Sequence, residues 1–471
     1  MSIVKGLVAG NAAFVAQTFV RLLSTAVVAR LISPEEMGIW TLGFALIGMF
    51  QILRDFGTAT YIHTAKELSR DDVRACTSIQ VAVGIAFFLI FVIAAKFVAA
   101  FYREPRVAEV IYVLALGFLI MPWSSTIFNT FVRDGRFALK SGIDFAAQMV
   151  IYAGGVCFAF IGASHLSAPI AVVIAQVLVV VLCLRYRNKA YPLGLGLKSI
   201  KSVARLSGTA LSVSVLQHAS DRAPDYVLPK TQGFAQSSIY EKGVNSLELV
   251  RMATVELLGS ILVSALRSRT QDNESGFPLL AANSLTGIFL FACMGAGILA
   301  INARDFLLVL FGPQWASAQV TLEVLAWSTP FVCVTAFLTK IMYLKQMHST
   351  VLKIAVTTRL ISIATVLALG NSSLFALATG IAVLEVIYCF VYCYLNRETV
   401  AWSDCALGCI IDACIILLCA FVAHYAVGLL GLGSALARLL IDGAISVILI
   451  LGVLFVFRQV TVVKIKHCLG L

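Results

Sequence analysis

The feature that most constrains this chain is a succession of apolar runs, each about twenty residues long, from one end of the sequence to the other. A hydrocarbon layer roughly 30 Å thick is crossed by about 20 helical residues, each rising about 1.5 Å. A soluble domain has no use for so many runs of that length. Composition agrees: of 471 residues, 60% are hydrophobic and only 13% charged, and the mean hydropathy is +0.95, outside the soluble balance. The expected fold is all-α, a polytopic transmembrane bundle of about 14 helices.

The expected spans are 8–31, 38–62, 76–100, 108–131, 141–163, 167–185 and 203–223, then 236–264, 279–301, 319–343, 351–370, 373–395, 406–428 and 436–457. An even number places both termini on one side. The first run reaches Leu31 without a small-residue cleavage pattern, so it is expected to be a retained helix. Lysines and arginines gather in the loops of one side. The richest is the sixth loop, with Arg185, Arg187, Lys189, Lys198, Lys201 and Arg205, and Arg458, Lys464 and Lys466 follow the last span. The positive-inside rule therefore predicts that both termini are cytoplasmic. It also accounts for the net charge of +11 without nucleic-acid binding.

The twelve cysteines lie almost entirely within spans, as along Cys405, Cys409, Cys414 and Cys419. No histidine stands at ligand spacing from them, so helix packing is expected rather than metal binding. His63, His165, His218, His348, His424 and His467 fall near span ends and form no cluster in sequence.

The second half echoes the first. Arg30, Ile39 and Trp40 match Lys230, Ile239 and Tyr240 at a separation of about 200 residues. Phe101, Ala108 and Val110 match Phe311, Ala318 and Val320 at roughly 210, Pro122 pairs with Pro330, and Leu139 and Lys140 with Leu352 and Lys353. A six-span unit enters the membrane twice from the same side, so the halves are expected to be parallel repeats, an arrangement of transporters. The expected division is 1–199, 200–400, and 401–471 for two extra helices and a tail.

Arg21, Arg54, Arg251, Lys340 and Arg359 lie within these spans. At roughly 2.5 to 3.5 kcal/mol each, such cations cannot all face lipid. Lys340, and in part Arg359, can snorkel from near a helix end, which leaves Arg21, Arg54 and Arg251 as the deep ones. Gln17, Arg21, Ser24 and Thr25 form one polar stripe on the first helix, and Gln51, Arg54 and Thr58 another on the second, with Asp55 turned away. Glu248 stands three residues before Arg251 on the same face and is its natural partner. The other acids in or near spans are Asp55, Asp144, Glu256, Glu323, Glu385, Asp412 and Asp442. Glu248, Glu256 and Glu385 are the deepest candidates to carry a coupling proton or sodium, and neutralisation of the arginines is the competing role.

No nucleophile, base or ligand constellation supports an enzyme, and no filter-like loop supports a channel. Arg21, Arg54, Arg251, Arg359, Gln17 and Gln51 are the candidate cargo-binding residues, and cationic sites suit a phosphorylated cargo. A cation-coupled multidrug exporter and, less fittingly, a membrane-embedded polysaccharide polymerase are the alternatives.

Several strings extend this reading: ARLISPEEMGIW from Ala29 to Trp40, LRDFGTATYI from Leu53 to Ile62 followed by LSRDDVRA, FVRDGRF from Phe131 to Phe137, Asp225 through Glu241, and LFGPQW from Leu310 to Trp315. In order and spacing they resemble the polysaccharide transporter family, the oligosaccharide flippases of the multidrug, oligosaccharidyl-lipid and polysaccharide exporter superfamily. The resemblance implies translocation of a polyprenyl-diphosphate-linked oligosaccharide across the cytoplasmic membrane, for surface or exopolysaccharide synthesis, by alternating access around a cationic cavity. It implies membrane lipids, a polysaccharide polymerase and export machinery as partners. It implies no cofactor beyond coupling to a proton or sodium gradient or to the membrane potential. The related lipid II flippases carry cavity arginines on helices one, two and eight, where this sequence has Arg21, Arg54 and Arg251. The stretch DRAPDYVLPK from Asp221 departs from the family pattern, so Asp225 is not assigned to ion coupling.

Overall fold

The computed structural model describes residues 2–54, 58–65, 67–188, 190–191, 194–196, 198, 208–272, 277–402, 406–429 and 434–457. Asp55, Lys189, Lys201, Arg205, Cys405, Arg458, Lys464, Lys466 and His467 lie outside the described residues, as does the side chain of Cys409. Helix is the only regular secondary structure among the described residues. Ten helices are long and apolar enough to cross a membrane, or eleven when one bent pair counts as a span. The chain is a multi-pass membrane protein.

Two compact units divide it, Met1–Ser238 and Ile239–Leu471. They describe packing, whereas the expected division at residues 200 and 401 rests on the sequence echoes between the halves. The first unit is built from α1 (Ser2–Leu31), α2 (Pro34–Arg54), α3 (Thr58–Thr64), α4 (Arg70–Tyr102), α5 (Arg106–Ile120), α6 (Pro122–Arg133), α7 (Phe137–Phe160), α8 (Ser167–Tyr186), α9 (Gly208–Asp221) and α10 (Ala223–Thr231). The boundary falls inside α11 (Phe234–Arg251). The second unit continues with a π-helical turn, Met252–Leu258, then α12 (Gly259–Asp272), α13 (Phe277–Ile301), α14 (Ala303–Leu310), α15 (Gln319–Leu344), α16 (His348–Leu369), α17 (Leu374–Leu395), α18 (Ala406–Leu429) and α19 (Ala435–Phe457).

Two expected spans differ in detail among the described residues. The span at 108–131 is a bent pair, α5 and α6, meeting at 53°. Pro122 opens α6 at a position where its missing N–H leaves no carbonyl unsatisfied, so the chain turns there. Its repeat partner Pro330 instead sits inside the continuous α15. The span at 236–264 passes from α-helix into the π turn after Arg251.

The strings that carry the family resemblance are largely helix-end devices. In the first, Ser33 and Glu36 cap α2 reciprocally: the Glu36 amide donates to Ser33 Oγ at 3.3 Å and the Ser33 amide to Glu36 Oε2 at 3.2 Å. Ser69 and Asp72, within LSRDDVRA, form the same box at the start of α4, at 3.1 and 3.0 Å. In FVRDGRF, Gly135 takes φ +69°, a left-handed conformation that favours glycine. Arg133 of the same string donates to the carbonyls of Ile62 and Ala65 at 2.6 and 2.7 Å, meeting the open end of α3.

Candidate functional site

In the first unit, α1 lies against α7. Ser24 Oγ donates to the Tyr152 carbonyl at 3.0 Å, and the Arg21 charge reaches the Tyr152 phenol one turn away. Gln17 and Arg21 are half-buried on that stripe. On α2, Gln51 is half-buried, while Arg54 is only 2% exposed.

Thr58, at the start of α3, anchors a buried polar network. Gln80 Nε2 of α4 donates to Thr58 Oγ1 at 2.6 Å and to Ser125 Oγ at 3.3 Å. Thr126 Oγ1 donates to Gln80 Oε1 at 3.3 Å, and Thr77 Oγ1 to Thr126 Oγ1 at 3.3 Å. Four of its five members, Thr58, Thr77, Gln80 and Thr126, are fully buried. Their mutual bonds offset the cost of burying polar groups away from water. The sequence stripe named Thr58; the rest of the network comes from α4 and α6.

In the second unit Arg251 ends α11 just before the π turn. Its Nη1 donates to Glu248 Oε1 at 2.8 Å, with side chains 31% and 41% exposed. Its Nε is buried and makes no hydrogen bond among the described residues. A π turn widens the helix and leaves carbonyls out of the regular ladder. Lys340 Nζ of α15 donates to one of these, Val255 O, at 3.0 Å, and lies 3.6 Å from Glu256 Oε1. Lys340 therefore points to the π turn rather than snorkelling to an interface. Glu256, expected among the deepest carboxylates, is 61% exposed.

Arg359 on α16 and Glu385 on α17 are both half-buried, and both charges reach the Tyr388 and Tyr392 phenols. Tyr388 ties the two helices, donating to the Thr358 carbonyl at 2.8 Å and lying 3.1 Å from Ser362 Oγ. Asp225 is buried in an ion pair with Arg222 at 3.1 Å.

The five cations singled out as lying within spans leave out others inside the same bounds, among them Lys96 and Lys242. Lys96 is exposed. Lys242 is 6% exposed, with its ammonium 5.0 Å from the Phe311 ring centre and 5.1 Å from that of Trp315. Aromatic faces attract a cation through their quadrupole, so the LFGPQW string holds a buried lysine. The available signal was a lysine in the middle of an apolar span.

Membrane-crossing helices with a cation buried in the second span and another at the π turn of the eighth have the build of a multi-pass transporter. The chain belongs to the family described as "Polysaccharide biosynthesis protein", whose sequence profile matches residues 27–320. The family resemblance drawn from the loop strings thus holds. Among curated proteins, the chain is similar to the lipopolysaccharide biosynthesis protein WzxC of Escherichia coli (strain K12), 21% identical over 310 residues, or 64% of this chain and 62% of that one. It is also similar to the succinoglycan biosynthesis transport protein ExoT of Rhizobium meliloti (strain 1021), 20% identical over 309 residues, or 65% and 62% of the two chains. The match thus spans less than two thirds of either relative. Among solved structures, the inward closed conformation of the lipid II flippase MurJ superposes with a TM-score of 0.78 at 10% identity, covering 96% of this chain and 100% of that one. An inward-facing multidrug resistance MATE family transporter of the MOP superfamily gives 0.63 at 12% identity, covering 81% and 94%. At such identities the likeness is one of fold.

Proposed function

We propose that this chain is a flippase that carries a polyprenyl-diphosphate-linked oligosaccharide across a bacterial cytoplasmic membrane by alternating access, for surface or exopolysaccharide synthesis. The observation that carries the reading is that Arg54 is buried within its spanning segment and that Arg251, with a buried Nε, stands where its spanning α-helix passes into a π turn. A guanidinium is always charged and matches phosphate oxygens in pairs. A helix irregularity marks a place where backbone groups are open to a ligand or to movement. Arg21 is proposed as the third cation. Gln17 and Gln51 serve as polar neighbours, and Arg359 is placed further along the glycan's path. The names of the relatives, which refer to lipopolysaccharide and succinoglycan synthesis, support the cargo class.

The cycle needs a driving force. Moving an anion outward across a potential positive outside is favoured by about 2.3 kcal/mol per charge per 100 mV. A proton or sodium ion held by Glu385, Glu256 or Glu248 is the other proposed source. Both termini are proposed to be cytoplasmic, on the positive-inside argument.

The test is flipping of a fluorescent polyprenyl-diphosphate oligosaccharide in proteoliposomes by wild type and by folded Arg21→Ala, Arg54→Ala and Arg251→Ala variants. The expected result is at least about a tenfold loss with Arg54→Ala and Arg251→Ala, as for a lost charge-assisted phosphate bond. Unchanged flipping by all three variants discards the site. No flipping by wild type, with efflux of cationic drugs instead, replaces the flippase by the multidrug exporter.

A further inference from the structure

The second unit holds a cavity of about 480 Å³ lined by residues of α13 to α15 and by α18 and α19. The reading of the arginines as cargo groups does not use it. Its charged lining is balanced, with Arg304 and Arg438 against Asp305 and Asp442, and His424 beside them. Arg438 and Asp305 satisfy each other in a two-pronged pair at 2.8 and 3.0 Å. Asp442, 1% exposed, accepts from Ser446 Oγ at 3.1 Å and meets His424 Nδ1 at 2.7 Å. The exposed Arg304 is the cation at the mouth, and Asp442, whose carboxylate keeps acceptor capacity beyond its bonds with His424 and Ser446, makes the anionic side.

Asn302 also lines the cavity. It is 3% exposed, and its Oδ1 has no hydrogen-bond partner among the described residues, while its Nδ2 donates to the Ile298 carbonyl at 3.1 Å. A buried acceptor left unmet costs about 1 to 3 kcal/mol unless something donates to it. Cation, anion and open acceptor together ask for a ligand with a negative group at one end and an N–H donor at the other.

The position narrows the ligand further. Ile301 closes α13, and the lining residues Asn302, Arg304 and Asp305 follow at the turn into α14. The cavity therefore opens at the level where spanning helices end, which is the head-group layer of a bilayer. Beside it Tyr425, Leu429, Leu436 and Leu440 are 65%, 73%, 53% and 63% exposed, an apolar flank along which acyl chains can lie. We propose that this cavity binds the head group of a zwitterionic aminophospholipid, its phosphate toward Arg304 and its primary ammonium toward Asp442 and Asn302.

The balanced charge argues against an anionic lipid, whose second negative or neutral polyol end would meet Asp442 instead of a counter-ion. A quaternary ammonium fits less well, because it has no N–H for the Asn302 acceptor. Soluble phosphoethanolamine shares the polar chemistry but lacks the chains that the flank of α18 and α19 would hold.

Native mass spectrometry of the full chain in detergent, titrated with short-chain phosphatidylethanolamine, phosphatidylglycerol, phosphatidylcholine or free phosphoethanolamine, tests the proposal. Phosphatidylethanolamine is expected to bind at least about tenfold more tightly than each of the others. Arg304→Ala, an exposed position that leaves the fold intact, is expected to weaken it about tenfold, the loss of one charge-assisted bond. Asn302→Leu should weaken phosphatidylethanolamine selectively, leaving phosphatidylcholine unchanged. Equal binding of phosphatidylglycerol overturns the zwitterion assignment, and equal binding of free phosphoethanolamine overturns the lipid source. Phosphatidylethanolamine binding unaffected by Arg304→Ala and Asn302→Leu overturns the location. None of these outcomes bears on whether Arg54 and Arg251 serve the cargo.

Discussion

The polar groups buried around Gln80 in the first unit and those around Arg251 in the second are held in two ways. Arg251 stands where its spanning α-helix passes into a π turn, and Gln80 lies inside the continuous α4. Thr58, Thr77, Gln80, Ser125 and Thr126 form a network of hydroxyls and an amide, four of them fully buried. Around Arg251 the groups are ions: Glu248 on its own helix, then Lys340 and Glu256 at the π turn. A neutral network holds geometry without adding charge. An ion pair lowers the cost of carrying a cation in the membrane but also occupies it.

Close packing sharpens the contrast first, because it has the largest expected effect. A Cβ on Gly84, one turn beyond Gln80 on α4, would stand 2.3 Å from the Phe118 carbonyl oxygen, which is backbone and cannot move aside. Gly84→Ala should destabilise the first unit by about 3 kcal/mol, the upper end for overpacking, seen as a lower unfolding temperature in detergent. In the second unit a Cβ on Gly380 meets the far end of the Leu369 side chain, 2.4 Å from its Cδ1. The end of a flexible side chain yields more readily, so Gly380→Ala should cost about 1 kcal/mol. Equal losses would mean that the two units are packed with the same rigidity.

Next comes the network itself. Gln80→Leu removes the amide that joins Thr58, Ser125 and Thr126 and should cost about 2 kcal/mol by stranding buried hydroxyls. Smaller again is the ion pair of the second unit. Both side chains are about a third exposed or more, so a double-mutant cycle of Arg251→Gln and Glu248→Gln should give a coupling of only about 0.5 kcal/mol in stability. In the flipping assay, Glu248→Gln should free Arg251 and change cargo affinity more than it changes stability. A coupling above about 2 kcal/mol would make the pair structural.

The smallest effect is on acid stability, and each unit offers one case. In the first, Arg106 donates to Glu104 at 2.8 Å and holds its carboxyl below the usual carboxylate range. In the second, the Arg438 bond does the same for Asp305. A depressed carboxylate adds stability that is fully present above its ordinary pKa and is lost as pH falls through the lower folded value. Melting temperatures should therefore fall in acid below the ordinary carboxylate range, and Arg106→Leu or Arg438→Leu should flatten that fall. An unchanged acid profile in both variants would show that neither pair contributes to folding.

Much of the chain was legible because the relevant physics is local. A run of twenty apolar residues needs no neighbour to be read as a crossing, and Ser33 with Glu36 or Ser69 with Asp72 caps a helix within three residues. The stripe of Gln51, Arg54 and Thr58 was readable from helical period alone, as was Glu248 beside Arg251. Lys242 was passed over because its partners, Phe311 and Trp315, arrive from about seventy residues away, and no spacing within one helix announces them.

The sequence by itself determined that the chain is a bundle of membrane-crossing helices, which helix ends are capped, and to which family it belongs, since hydrophobic length, capping and ordered loop strings are properties of contiguous residues. Only the tertiary structure decided that Lys340 turns to the π turn, that Gln80 joins α3 to α6, and that Asn302, Arg304, His424 and Asp442 line one cavity. Those facts depend on how each helix is rotated about its axis against the next, which is set by packing over the whole unit and not by any one segment.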